Sequence, residues 1–540
     1  MFDPFKDYEQ VGYHWKRWFV LFAVALFFPI SAGAETFEEV RKKAEQNDAK
    51  AQVALGKMYR DGRGVAKDEV EAVSWFLKAV DHPYRYGGYE DALFNLGEIY
   101  ANGRGVEKNE AEAVKWYRKA AEQGYAAAQF LLGSVYGAGQ RVAQNHAEGV
   151  NLYRKAAGQG DADAQFKLGE MYFNGWGVTG DDDEAVGWYR KAAGQGHAEA
   201  QYQLGEMYYN GRGVAQNYAK AFKWYRKASE QRHAEAQYKL GEMYLNAWSV
   251  AKNDVAAVGW YRKAADQGHA SAQYQLGEMY YNGWGVAKDY VEAVGWYQKA
   301  AEQGNAEAQY LLGWRMAKNV VEAIKWYRKA ASQGHVIAQY ILGEMYEKGQ
   351  VVVQDDAEAF RWYRMVAEQG NADAQSDNEW HRIIAKQNHP SAQYKLGEMY
   401  ANGRGVAQDD VEAVNWYRKA AEKRHRVAQY TLGEIYANGR GVARDDAEAV
   451  YWYRKAAEQR HPTAQYKLGL MYANGRGVTQ NDATAYMWAI LAVSWATPNS
   501  PDYSDFVKFR DDLDNHLTQP QIVEAQGLAK EWSKKYGVVE

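Results

Sequence analysis

Seven histidines, His197, His233, His269, His335, His389, His425 and His461, stand at equivalent places along the chain. Eight glutamates, Glu98, Glu170, Glu206, Glu242, Glu278, Glu344, Glu398 and Glu434, form a second series. Residues of these types could hold a metal or exchange protons with a substrate, but their spacing speaks against both. Neighbouring members sit one structural unit apart, and packed helices stand about 8–10 Å from each other. Zinc needs all its ligands about 2 Å from one ion. An acid/base carboxylate pair must likewise converge on a single substrate, within roughly 6.5–9.5 Å even in the wider glycosidase geometry. The sequence has no cysteine, no nucleophile elbow and no phosphate-binding loop. It therefore points to a protein that is not an enzyme and that carries no metal and no cofactor.

The elements that carry these residues follow from a repeat. A Leu-Gly pair recurs at Leu55, Leu96, Leu132, Leu168, Leu204, Leu240, Leu276, Leu312, Leu342, Leu396, Leu432 and Leu468, mostly at a step of 36, which is the signature of a solenoid. In the copy from Ala198 to His233, Ala200, Leu204, Met207 and Tyr208 share one helical face, as do Ala221, Trp224, Tyr225 and Ala228. Each copy is therefore two single-faced helices. The first is expected to stop at Asn210-Gly211 with a left-handed cap, and the second to open on an Asn or Asp N-cap. A full capping box is expected at Asp68/Glu71, Asn109/Glu112, Asp289/Glu292, Asp409/Glu412 and Asp445/Glu448. A recurrent glycine inside the first helix, Gly205 in this copy, is expected to mark close packing on the partner helix, because glycine there costs about 1 kcal/mol against alanine.

The pattern A-x-A-Q-Y-x-L-G-x-M-Y-x-N-G-x-G-V followed by E-A-x-x-W-Y-x-K-A-A resembles the Sel-one-like repeat, a tetratricopeptide-type helix pair, over roughly residues 37–495. The resemblance implies an all-α fold: a right-handed superhelical solenoid of tandem antiparallel helix pairs with helical caps at both ends. It also implies a scaffold that holds other proteins together without activity of its own.

The expected organisation is a signal peptide over 1–34, an N-terminal capping helix over 35–50, regular repeats over 51–312, irregular repeats with a kink over 313–390, regular repeats over 391–495 and a C-terminal helical cap over 496–540. The leader ends in Lys16-Arg17, an apolar run from Trp18 to Ile30, and Ala32-Gly33-Ala34. This reads as secretion with cleavage near Ala34 and a periplasmic or secreted product; an uncleaved signal anchoring the chain in the inner membrane is the alternative. Asp81–Asp91 lengthens one step to 41 and carries Tyr84, Tyr86 and Tyr89. The step from Leu312 to Leu342 is only 30, because LGWRMAKNVVEA lacks the NGxGV loop. Asn371–Gln387 joins the start of one first helix to the end of one second helix and is expected to run on as one helix.

A net charge of −4 over 540 residues, with no basic stripe, excludes nucleic acid as the expected partner. In tetratricopeptide-type arrays the outward side of the first helix lines a concave groove, and the resemblance places Tyr202, Glu206 and Tyr209 there. Their counterparts are Tyr238, Glu242, Tyr274 and Glu278. Two positions vary from copy to copy: one is large only in the middle, and the other turns from arginine to tryptophan there. The residue before the Asn-Gly turn is Phe173, Tyr209, Leu245 and Tyr281, against Ala101, Ala401, Ala437 and Ala473 elsewhere. The loop residue between the glycines is Trp176, Trp248 and Trp284, against Arg63, Arg104, Arg212, Arg404, Arg440 and Arg476. Exposed aromatics at a groove are what binding hot spots are made of, so these thirteen residues over 166–286 are the candidate partner surface. The expected partner is a protein or peptide, basic because of the carboxylates. The alternative is an envelope glycan such as peptidoglycan, stacked on the aromatic rings.

Overall fold

The computed structural model describes residues 35–82, 88–138, 145–315, 319–350, 352–368 and 379–536, with side chains left undescribed over 379–388. The expected signal segment, Tyr84 and Tyr86 of the lengthened turn, and Asn371–Asn378 lie outside these residues. All regular structure among the described residues is α-helical, and consecutive helices pack on one another from Phe37–Glu45 to Tyr218–Glu230 and from Asp254–Ala265 to Asp482–Trp495. The chain divides into two compact units, one reaching Leu240 and including Trp248–Ala251, the other comprising Gly241–Ala247 and the chain from Lys252 onward.

The copy from Ala198 to His233 shows how the sequence makes one hairpin. Its first helix, Ala198–Asn210, ends where Gly211 turns left-handed at φ 70° and donates back to the Met207 carbonyl. Gly213, also left-handed, completes the loop. Asn217 then caps the second helix, Tyr218–Glu230, by accepting from the Lys220 N–H. Asn217 N–H meets Tyr208 O at 2.8 Å, Tyr225 lies beside Gly205, and Gln231 donates to Gln201 at 3.0 Å. The register therefore runs antiparallel.

The recurrent glycine has the expected reason. A Cβ on Gly205 would lie 2.5 Å from the Tyr225 ring, and one on Gly97 equally close to Tyr117. The tyrosine itself is fully buried. Loss of helix propensity is thus exchanged for a flat aromatic laid directly on the opposing backbone. Ala200, Leu204, Met207, Tyr208, Ala221 and Ala228 are buried as their spacing requires, but Trp224 is only half-buried. Lys227 lies over its ring, 4.4 Å from the centroid, so the indole covers the helix edge instead of filling the core.

Two further features differ from expectation or were not anticipated. Asp68, Asn109, Asp289, Asp409 and Asp445 each cap the N–H of the glutamate three residues on, at 2.9–3.0 Å. The reciprocal half of the box forms at Thr36/Glu39, whereas Glu71 and Glu292 reach forward and accept from Trp75 and Trp296 at 3.0 Å. The indole N–H, four residues away on the same face, is buried more deeply than the cap N–H and gains more from a carboxylate. Between repeats runs a chain of glutamines, one exposed and one buried: Gln195 donates to Gly160 O and to Gln165, both at 2.9 Å, and the buried Gln165 donates to Ala157 O at 3.2 Å. These side chains satisfy carbonyls at the ends of second helices that would otherwise be orphaned.

The short repeat has a first helix of ten residues, Ala306–Arg315. Downstream, Glu379–Asn402 is one helix of 24 residues with Pro390 inside. Helix Phe37–Glu45 precedes the repeats, and Tyr503–His516 with Gln519–Tyr536 follow them. Trp532 meets Trp488 edge-on at 5.8 Å and closes the last repeat. No described helix is long and apolar enough to cross a membrane.

Candidate partner-binding surface

The thirteen candidate residues fall into three physical environments. The aromatic ladder is largely closed. Tyr238 and Tyr274 are buried and Tyr202 is half-buried. Tyr202 lies between Tyr225 of its own second helix, 5.9 Å away, and His233 of the next repeat, stacked at 4.8 Å. Tyr274 tilts against Tyr297 at 6.0 Å. These rings join neighbouring repeats, which accounts for their near constancy from copy to copy.

The carboxylate ladder is engaged at its inner edge. Glu206 accepts from the Tyr225 hydroxyl and Glu278 from the Tyr297 hydroxyl, each at 2.5 Å. Burial first, and the adjacent carboxylate second, push both tyrosine hydroxyls far above their usual pKa, so they remain donors at any physiological pH. Glu206, Glu242 and Glu278 are all half-buried.

The variable positions form the third environment, and the structure gives them a common geometry. In the regular copies the loop arginine reaches back 30 residues to the first residue of the preceding second helix: Arg212 to Asp182 at 2.9 Å, Arg440 to Asp410 at 3.0 Å and Arg476 to Asp446 at 2.7 Å. Arg404 does the same to Asp356 at 2.9 Å, across the irregular segment. Hydrogen bonds from Arg476, then Arg444, hold the Asp446 carboxyl down to about 2. Where the loop residue is tryptophan, the residue 30 positions back is His146 or Tyr218 in two copies and remains an aspartate, Asp254, in the third. Trp176 stacks on His146 at 6.4 Å, and Trp248 stacks on Tyr218 at 6.3 Å while meeting Tyr209 edge-on at 5.4 Å. Trp284 is paired in register with Asp254, whose buried Oδ1 has no hydrogen-bond partner and whose nearest cation is Lys252 at 3.8 Å.

Trp176 and Trp284 remain open, at 51% and 47% exposure, whereas Trp248 is half-buried. Phe173 is half-buried beneath the Arg212 guanidinium, 4.0 Å from its centroid. Tyr281, half-buried, meets Tyr290 edge-on at 5.3 Å, and Leu245 is half-buried at the end of its helix. Phe173, Trp176, Tyr202, Glu206, Tyr209, Tyr238 and Trp248 belong to the first unit; Glu242, Leu245, Tyr274, Glu278, Tyr281 and Trp284 belong to the second.

The histidines have a structural role that spacing alone did not reveal. His197, His233, His269, His335, His425 and His461 each accept through Nδ1 from the N–H three residues on, at 3.1–3.2 Å, and so act as N-caps. The imidazole then stacks on the ladder aromatic of the preceding repeat, as His461 does on Tyr430 at 4.7 Å. The signal was available in the alignment of copies, since Asp48, Asp161 and Asn305 occupy the same position and cap in the same way. Among the described residues no three His, Asp or Glu side chains converge as a metal site.

The Sel1 repeat profile matches twelve segments: 49–84, 90–125, 126–161, 162–197, 198–233, 234–269, 270–305, 306–335, 336–371, 390–425, 426–461 and 462–494. The chain belongs to the Sel1 repeat family. It is similar to a protective antigen of uropathogenic Escherichia coli with an SLR fold, at 33% identity over 93% of this chain and 96% of that one, with a TM-score of 0.61. It is also similar to a Sel1 repeat protein from Oxalobacter formigenes, at 35% identity over 51% of this chain and 78% of that one, with a TM-score of 0.43. A comparison with curated proteins gives no match. The Sel1 repeat solenoid is a general protein-protein interaction fold, so this family membership fixes the class of function.

Proposed function

We propose that this Sel1 repeat chain is a non-enzymatic scaffold of the bacterial envelope that holds a segment of a partner protein along its central repeats. The observation that carries the reading is the concentration of open aromatic side chains there. Trp176, Trp284, Tyr290 and Trp314 are each about half exposed, while equivalent loop positions near the C-terminal end hold arginines committed to ion pairs within the chain. Large exposed aromatics at a repeat edge are the usual anchors of a protein interface. The carboxylates of Glu206, Glu242 and Glu278 add negative charge to the central repeats, which favours a basic partner.

The test is affinity capture from envelope extract on the chain from Glu35 to Glu540, at low and high salt, beside a Trp176→Arg/Trp284→Arg variant. A specific protein retained by the parent, released by salt and lost in the variant is the expected result. Retention of peptidoglycan in place of a protein would move the reading to a glycan-binding module. Equal retention by parent and variant would remove the central aromatics from the interface.

A further inference from the structure

Two places in the chain hold the same pair of tyrosines in the same geometry, and one of the two is unfinished. Tyr209 and Tyr218 meet edge-on at 5.3 Å and 62°. Tyr281 and Tyr290, each 72 residues on, meet at 5.3 Å and 65°. At the first place the loop of the following repeat delivers Trp248, which stacks on Tyr218 at 16° and meets Tyr209 at 64°. At the second place the following repeat is the short one. Only residues 316–319 separate its helices, Ala306–Arg315 and Val320–Ser332, and the counterpart of the Trp248 loop is missing from the sequence. Tyr218 is half-buried, whereas Tyr290 is 55% exposed and Val291 beside it 85% exposed.

The far wall of the open position is supplied by the short repeat itself. The Arg315 guanidinium lies over Tyr281, 4.4 Å from its centroid. Its buried Nε has no hydrogen-bond partner among the described residues, and Trp314 next to it is 54% exposed. The aromatic floor of Tyr281 and Tyr290, the exposed Trp314 indole and the guanidinium over Tyr281 make a seat for an aromatic side chain.

We propose that Tyr281, Tyr290, Val291, Trp314 and Arg315 form a docking slot for a tryptophan carried on an extended segment of a partner protein, which takes in trans the place that Trp248 fills in cis. The inference rests on the scaffold reading above and names the chemistry of the partner's anchor. The chain itself supplies the template, because LNAWSV, Leu245–Val250, is a sequence whose indole fits this pair of tyrosines.

The test uses the full chain and a blocked LNAWSV peptide carrying fluorotryptophan, observed by fluorine NMR. Two variants accompany it: Tyr290→Ala, and an insertion of LNAWSV between Met316 and Ala317 that restores the 36-residue step and fills the slot from within. The peptide signal is expected to broaden on titration with the parent chain, with an affinity on the order of 1 mM. Binding should weaken about tenfold or more in Tyr290→Ala and vanish in the insertion variant. No broadening at several times that concentration, or equal broadening with the parent and both variants, overturns the slot. Envelope capture separates this failure from that of the scaffold reading. A partner held equally by the parent and Tyr290→Ala chains overturns the slot alone. Peptide binding that follows the variants supports the slot even where no envelope protein is retained, and the scaffold reading is then what falls.

Discussion

The loops at Arg440 and Arg476 and the loops at Trp176, Trp248 and Trp284 occupy the same place in the repeat, yet they close against the preceding helix with different chemistry. The C-terminal loops use a guanidinium on the first carboxylate of a helix, a bond that also suits the helix N-terminus. The central loops use an indole; the residue 30 positions back has changed with it to His146 opposite Trp176 and Tyr218 opposite Trp248, whereas Asp254 stays an aspartate in register with Trp284. Charge pairing occupies the guanidinium while 50% of the Arg440 side chain and 43% of the Arg476 side chain stay exposed. At Trp176 and Trp284 a similar share stays exposed, but what faces water there is an apolar indole. A repeat array can therefore expose binding surface without altering its backbone, by exchanging one clasp for another.

The largest expected effect breaks the clasp at its hinge. Gly441 has φ 70°, and a Cβ there would lie 2.5 Å from the Asp410 carbonyl oxygen. Gly441→Ser should cost about 3 kcal/mol locally, from about 1–2 kcal/mol for a left-handed residue and at least as much for displaced backbone. Hydrogen exchange over 426–461 would report it, and protection equal to the parent would contradict the close approach.

The next effect concerns acid. Burial, and secondly Arg426, bring the His461 imidazole down to about 4, and the same two causes lower His425. A folded-state pKa below the usual 6.5 means that the neutral form is favoured by folding. This stability is complete above the unfolded pKa and is lost as pH falls from about 6.5 toward 4, on the order of 2 kcal/mol at His461. Protonation also removes the Nδ1 lone pair that caps Ala464. Melting temperature should fall over that window, and His461→Asn, which copies the Asn305 cap, should flatten the profile. A fall of the same size in His461→Asn would assign the acid sensitivity elsewhere.

Trp284→Arg and Trp176→Arg sharpen the comparison further. The first places a guanidinium opposite Asp254 and should gain about 0.5–1 kcal/mol, as an exposed but well-aligned pair does. The second meets His146, finds no carboxylate, and should lose the stacking without gain. Urea titrations that moved both variants in the same direction would show that the residue 30 positions back does not set the clasp.

Much of the fold was legible because periodicity and capping are local. The helix ends at Asn210 and Tyr218, the buried face of Leu204 and Tyr208, and the reason for Gly205 all follow from one copy read alone. What was not legible depends on the neighbouring copy. A helical wheel places Tyr202 and Glu206 outward, but it cannot show that His233 of the next repeat stacks on the tyrosine or that Tyr225 turns its hydroxyl onto the glutamate. The three tryptophans look alike in sequence. Only the pairing at a step of 30 separates Trp248, covered by Tyr209 and Tyr218, from Trp176 and Trp284. The histidine caps were hidden because imidazole is an unusual cap, although the aspartates at the same position in other copies disclose the role.

The smallest expected effect lies in the loop that carries Trp248. Where other copies have two glycines, this one has Ala247 at φ 58° and Ser249 at φ 65°, a left-handed conformation that costs a residue with a Cβ about 1–2 kcal/mol. Reverting both to glycine removes that strain but adds freedom to the unfolded chain, offsetting roughly 0.4–1 kcal/mol at each site, so the net gain should be a few tenths to about 1 kcal/mol per site. The strain has a physical counterpart, since the loop is held by the stacking of Trp248 on two tyrosines, and packed aromatic pairs supply about 0.5–1.5 kcal/mol each beyond their buried area. Ala247→Gly/Ser249→Gly should therefore stabilise the parent and also lessen the damage done by Trp248→Ala, because a relaxed loop needs less holding. A double-mutant cycle read by hydrogen exchange at Trp248–Asn253 measures that coupling, and strict additivity would mean that the indole and the loop backbone were independent.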